Sequence, residues 1–172
     1  ENPPANNSVY IGGSTDGALD GGNPPDACAP VGPATHCGDA WVAKYDHSTG
    51  TRFWLTQIRG ARREEVVGDV GIVAPHELVW DNNGAGRLLV LVSTADVTTG
   101  LLHTGHLYAV NATTGTPTLL WSQDDPAVDF TPTGLTIAGS MIYVQGRGSV
   151  AMSGAVATSG SGNGGPVVFK LN

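Results

Sequence analysis

Two short phrases recur along the chain in a fixed order, and this repetition constrains the fold more than any other feature. The first is Ser8-Val9-Tyr10-Ile11-Gly12-Gly13-Ser14-Thr15, echoed by Leu88-Leu89-Val90-Leu91 running on to Ser93-Thr94, and again by Met141-Ile142-Tyr143-Val144-Gln145-Gly146. The second is Asp39-Ala40-Trp41-Val42-Ala43-Lys44-Tyr45-Asp46, echoed by Gly105-His106-Leu107-Tyr108-Ala109-Val110-Asn111 and by Val167-Val168-Phe169-Lys170-Leu171-Asn172. Units that repeat in order bury their faces against neighbouring units rather than within themselves.

Each phrase reads as a strand, rich in Val, Ile, Leu and Tyr and bounded by Gly, Ser, Asn or Asp. The second phrase leads into His47-Ser48-Thr49-Gly50-Thr51, matched by Ala112-Thr113-Thr114-Gly115-Thr116. Gly50 and Gly115 there supply the positive φ of a tight turn. Each turn opens into a Trp-bearing strand, Arg52–Gln57 with Trp54 and Thr118–Gln123 with Trp121. A further strand is expected at Gly71-Ile72-Val73 or Glu77-Leu78-Val79-Trp80, and in the next copy at Gly134–Gly139. The segment Ala61–Val67 is short, uncapped and followed by Gly68, and reads as linker.

Four short antiparallel strands per period of about 60 residues, with a repeated turn and Trp, form the pattern of a β-propeller blade. The expected fold is all-β, a partial propeller of about three incomplete four-stranded blades. Residues 1–172 form one segment, divided into a blade part at 8–57 with an insertion at 16–38, a blade at 66–123 and a blade part at 129–172. A β-sandwich or solenoid is the runner-up. A solenoid uses shorter, more regular coils, and a sandwich gives no reason for the Trp and the Thr-Gly turn to recur.

Composition removes several function classes. Eight Lys and Arg stand against fifteen Asp and Glu, a net charge of −7, which disfavours nucleic acid. Charged residues make up 13%, too few for a coiled coil. No apolar run approaches the ~18 residues of a membrane helix. The two cysteines, Cys28 and Cys37, share one Pro/Gly/Asp-rich loop, where a disulfide would stiffen an insertion lacking its own core. That pairing, and an opening Glu1-Asn2-Pro3-Pro4 that reads as a trimmed or mature end, point to a secreted, cell-surface or periplasmic location. Asn6-Asn7-Ser8 and Asn111-Ala112-Thr113 fit the glycosylation pattern.

The run from Asn7 to Thr15, then Gly38 to Asp46, then Gly50 and Trp54, resembles the SBBP repeat, the seven-bladed beta-propeller repeat of bacterial secreted and surface proteins. The other two copies match more loosely, and the third carries Gly164-Gly165-Pro166-Val167-Val168-Phe169 where the Gly-Gly-x-Asp portion belongs. The resemblance implies a propeller fold and an exported location, and no reaction. Gly105–Asn111 through Thr114-Gly115 and Trp121 also resembles a blade of pyrroloquinoline-quinone dehydrogenases. That likeness implies a quinone and a bound calcium, at a site assembled from many blades.

Candidate chemistry is sparse. Asp16, Asp20 and Asp26 sit in the Gly-rich insertion and are the calcium candidates, without the regular spacing of a dedicated calcium loop. His103 and His106 fall at i and i+3 on a strand and point to opposite faces. Gly160–Gly165 spells G-x-G-x-x-G but precedes a strand rather than a helix, and reads as a hairpin loop. Asp124-Asp125 reads as a solvated turn, and Arg59, Arg62 and Arg63 are answered by Glu64 and Glu65. No nucleophile elbow or zinc-protease motif is present. The Trp residues read as packing groups at repeated sites, with carbohydrate stacking as the alternative.

The expected function is a non-enzymatic extracellular scaffold, adhesion or self-assembly module without catalytic residues or cofactor. The alternative is a fragment of a quinoprotein or carbohydrate-active propeller enzyme. Closed propellers need at least about four blades. The expected partners are therefore further copies of the chain, by strand exchange or head-to-tail assembly, or the remainder of a longer protein.

Overall fold

A computed structural model describes residues 8–15, 18–19, 39–58, 63–66, 78–81, 86–95, 103–123, 129–148, 155–158 and 165–171. Within them the chain is all-β, with strands and turns and no helix. The first sheet is a meander of β1 (Ser8–Thr15), β2 (Asp39–Asp46) and β3 (Arg52–Ile58), in that order. The second holds β4 (Arg63–Val66), β5 (Leu78–Asp81), β6 (Arg87–Ala95), β7 (His103–Asn111) and β8 (Pro117–Gln123). The third runs β11-β12-β10-β9, built from β9 (Phe130–Ala138), β10 (Met141–Gly148), β11 (Ala155–Thr158) and β12 (Gly165–Leu171). Every pairing is antiparallel. None of the three sheets closes on itself.

The sheets stack face to face, and the middle one is covered on both sides. Leu88, Leu89, Val90, Leu91 and Val92 in β6 are consecutive and all buried. Successive side chains on a strand point to opposite faces, so an unbroken apolar run requires a partner on each side. Leu88, Val90 and Val92 pack with Ala40, Val42 and Ile58 of the first sheet. Leu89 and Leu91, with Leu107, pack with Phe130, Val144, Val167 and Phe169 of the third. The pairing register explains the division, because Leu88 faces Val110 and Leu89 faces Ala109 across the β6–β7 ladder.

Two segments differ from the sequence expectation. Arg63–Val66, placed in a linker, is strand β4 and pairs with Val92–Ala95. β5 covers only Arg87–Val90 of β6, so the same edge offers open backbone groups further along, and β4 completes the ladder. Ala155–Thr158, which lies just ahead of the Gly160–Gly165 loop and in none of the expected strands, is strand β11 and pairs along the outer edge of β12. It lies beside β12 as β3 lies beside β2 and β8 beside β7. The open edge of a strand accepts whatever extended segment returns to it, and local composition decides this weakly.

Candidate functional site

Two of the repeated residues, Trp54 and Gly115, meet at the junction between the first and second sheets. Their local frame is a turn built twice. Asp46 N donates to Thr51 O at 2.8 Å and Gly50 N to Asp46 O at 2.9 Å; Asn111 N donates to Thr116 O at 3.0 Å and Gly115 N to Asn111 O at 2.8 Å. Gly50 and Gly115 hold φ of 68° and 74°, the left-handed conformation that costs glycine nothing. Asp46 Oδ1 accepts from Ser48 N at 2.9 Å and Thr49 N at 2.8 Å, and Asn111 Oδ1 accepts from Thr113 N and Thr114 N at 2.8 and 3.0 Å. These are Asx turns, in which a short side chain substitutes for a backbone acceptor. The donors from Thr49, Thr49's hydroxyl and Ser48 hold the Asp46 carboxyl below its ordinary value.

The second turn is a docking point for the first sheet. Trp54 Nε1 and Lys44 Nζ both donate to Ala112 O, at 3.1 and 3.0 Å, and Thr56 Oγ1 donates to Gly115 O at 2.5 Å. A Cβ on Gly115 would lie 2.8 Å from Trp54 Cδ2, so glycine is required there by close approach as well as by φ. Lys44 Nζ also lies 5.7 Å from the Tyr10 ring centroid and 5.4 Å from that of Phe53, within cation–π range. Tyr10 packs 6.0 Å from Trp54 and 5.7 Å from Trp80 of β5, and burial raises its phenol pKa.

The second junction uses an aromatic cluster. Trp121 lies 4.9 Å from Phe169 and 6.0 Å from Phe130, and Phe130 meets Phe169 edge-on at 5.3 Å. Trp121 stands two residues further along its strand than Trp54. It pairs with Leu107, whereas Trp54 pairs with Lys44, whose counterpart counted from the turn is Ala109. A register shift accompanies each Trp, leaving Phe53 and Leu120 outside the pairing and exposed.

Asp16, Asp20, Asp26, Cys28 and Cys37 lie outside the described residues, as do Arg59, Arg62, Asp124 and Asp125. His106 in β7 stacks on Tyr108 at 6.4 Å and reaches Thr104 Oγ1 at 3.3 Å, and Thr104 bonds the buried hydroxyl of Thr94. Trp41 Nε1 donates to Ser14 O at 3.2 Å, laying its ring over Gly13. Asp81 is buried and accepts from Arg87 Nε at 2.6 Å. Among the described residues, no three His, Cys, Asp or Glu side chains converge to hold a metal, and no helix is long and apolar enough to cross a membrane.

Sequence reading identified Gly50, Trp54, Gly115 and Trp121 but assigned no part to Tyr10, Lys44, Thr56 or Phe130. Lys44 carried a signal, since Lys170 recurs at the same place in the third copy. Compared with protein-family models, with curated proteins and with solved structures, the chain matches none.

Proposed function

We propose that the chain is a non-enzymatic propeller-type repeat module of the exported class, whose sheets act as blades and whose task is scaffolding, adhesion or assembly. The observation that carries this reading is the use made of the repeated residues. The repeated turn glycine Gly115 receives Trp54 and Thr56, and Lys44, which recurs as Lys170, reaches the same turn, so one copy is joined to the next at the repeated turn. Meandering antiparallel sheets packed face to face, with the middle one covered on both sides, support the blade reading. The Cys28–Cys37 disulfide and calcium at Asp16, Asp20 and Asp26 belong to the same reading as accessory features of the insertion, and carbohydrate stacked on Trp as a further ligand.

The test is the absorbance spectrum, metal content and thiol count of the isolated protein. A featureless spectrum, no reactive thiol and no saccharide turnover are expected. A quinone chromophore with stoichiometric calcium overturns the scaffold reading in favour of the quinoprotein alternative.

A further inference from the structure

Among the described residues, the two outer faces of the stack repeat the two halves of the junction already made inside it. On the first sheet, Val9 opposite Tyr45 and Ile11 opposite Ala43 face away from the second sheet. Counted from the repeated turn, these pairs correspond to Leu88 opposite Val110 and Val90 opposite Tyr108. In the second sheet those positions lie under the first sheet, with Leu88 at 2% and Val90 at 0% exposure, whereas Val9 and Ile11 are 39% and 46% exposed. The turn differs in the same sense. Gly115 is filled by Trp54, and around Gly50 nothing lies within 4 Å of where a Cβ would stand.

The third sheet presents the complementary half. Tyr143 stands opposite Lys170, repeating the pair Tyr10 opposite Lys44. Both point away from the second sheet, because their neighbours Ile142, Val144 and Phe169 are in the core facing it. Lys44 in the first sheet reaches across to Ala112 O, and the residue corresponding to Ala112 in the first sheet's own turn is His47. That turn carries Asp46 where its counterpart carries Asn111, placing a carboxylate beside the acceptor a lysine would use.

We propose that the third sheet of one copy docks on the first sheet of a second copy, head to tail. Lys170 reaches the His47 carbonyl beside Asp46, and Tyr143 and Val168 cover Val9 and Ile11. This deepens the assembly reading above and rests on it. The interface is heterologous, so it builds a ring or an open filament rather than a two-fold dimer.

Sedimentation velocity of the whole chain over about a hundredfold range of concentration tests this by mass action. The wild type is expected to rise from the single-chain mass to at least twice that mass. Ile11→Lys blocks one face and the double variant Tyr143→Glu/Lys170→Glu blocks the other, so each alone stays at the single-chain mass. Mixed, they retain one good face each and form a 1:1 pair that grows no further, which also shows that both are folded. A wild type that stays monomeric, assembly that persists in either variant, or a mixture that remains monomeric overturns the proposal. The spectrum and metal content of the same material decide the non-enzymatic reading separately.

Discussion

Trp54 Nε1 donates to the carbonyl oxygen of Ala112 at 3.1 Å, across 58 residues of sequence. The bond ties the last strand of one sheet to the turn of the next, at a carbonyl that Lys44 shares. A half-buried indole with its polar end satisfied contributes both packing area and direction. Junctions of this kind, rather than any interior of a single sheet, hold the stack together.

Gly115→Ala is expected to destabilise the chain more than Gly50→Ala. Both place a Cβ on a left-handed residue, at a cost of about 1–2 kcal/mol each. At Gly115 the new atom also meets Trp54 and Thr56 Oγ1 at 2.8–2.9 Å, and displacing them adds roughly 1–3 kcal/mol. Urea midpoints of the two variants at a dilution that keeps the chain monomeric provide the comparison. Equal losses would show that the turn is no docking point.

Thr56→Val and Trp54→Phe each remove one hydrogen bond to the turn, and each should cost about 1 kcal/mol. Lys44→Met and Trp54→Phe act on a single acceptor, so their losses should depart from additivity by at least about 0.5 kcal/mol. A double-mutant cycle in urea measures this coupling. Strict additivity contradicts a shared carbonyl.

At the second junction, Phe130 is fully buried between Trp121 and Phe169. Phe130→Ala should cost about 3–5 kcal/mol and abolish the near-UV dichroism of the cluster. Gly146→Ala should also be costly. Its Cβ would lie 2.5 Å from both Phe130 Cε2 and the Thr131 carbonyl, and the backbone atom cannot be relieved by a ring rotation. Near-wild-type unfolding of Gly146→Ala would contradict this packing.

Asp46 predicts an acid-dependent term. Its folded pKa is lowered by donors from Thr49 and Ser48, so the stabilisation is present above the unfolded value, about 3.9. It is lost as pH falls through the folded pKa. Asp46→Asn keeps the acceptor, as Asn111 does in the second turn, but does not titrate. Wild type and variant should therefore converge in unfolding midpoint as pH drops below about 4. A difference that stays constant down to pH 2 would remove Asp46 from the turn.

Much of the fold was legible because it is locally encoded. Tyr10, Ile142 and Leu89 sit in alternating or continuous apolar runs that specify strands, and the Asp46 and Asn111 turns are closed by their own side chains four residues from a glycine. Strands β4 and β11 were not legible, because Arg63–Val66 and Ala155–Thr158 pair only where β6 and β12 leave an edge open. The depth of Trp121 was hidden for a related reason. Trp121 stands six residues after Gly115 and Trp54 four after Gly50, but which neighbour each ring meets depends on where the one-residue register shift falls, at Phe53 in one strand and at Leu120 in the other.

The chain's own order of residues settles the strands other than β4 and β11, the repeated turns and the requirement that β6 be buried on both faces. Those follow from side-chain periodicity and from interactions within a few residues. Stacking alone assigns Leu88 and Leu89 to different neighbours, fills Gly115 and leaves Val9 and Ile11 exposed. Those outcomes depend on which sheet lies against which, a choice made by long-range burial after the local structure is formed.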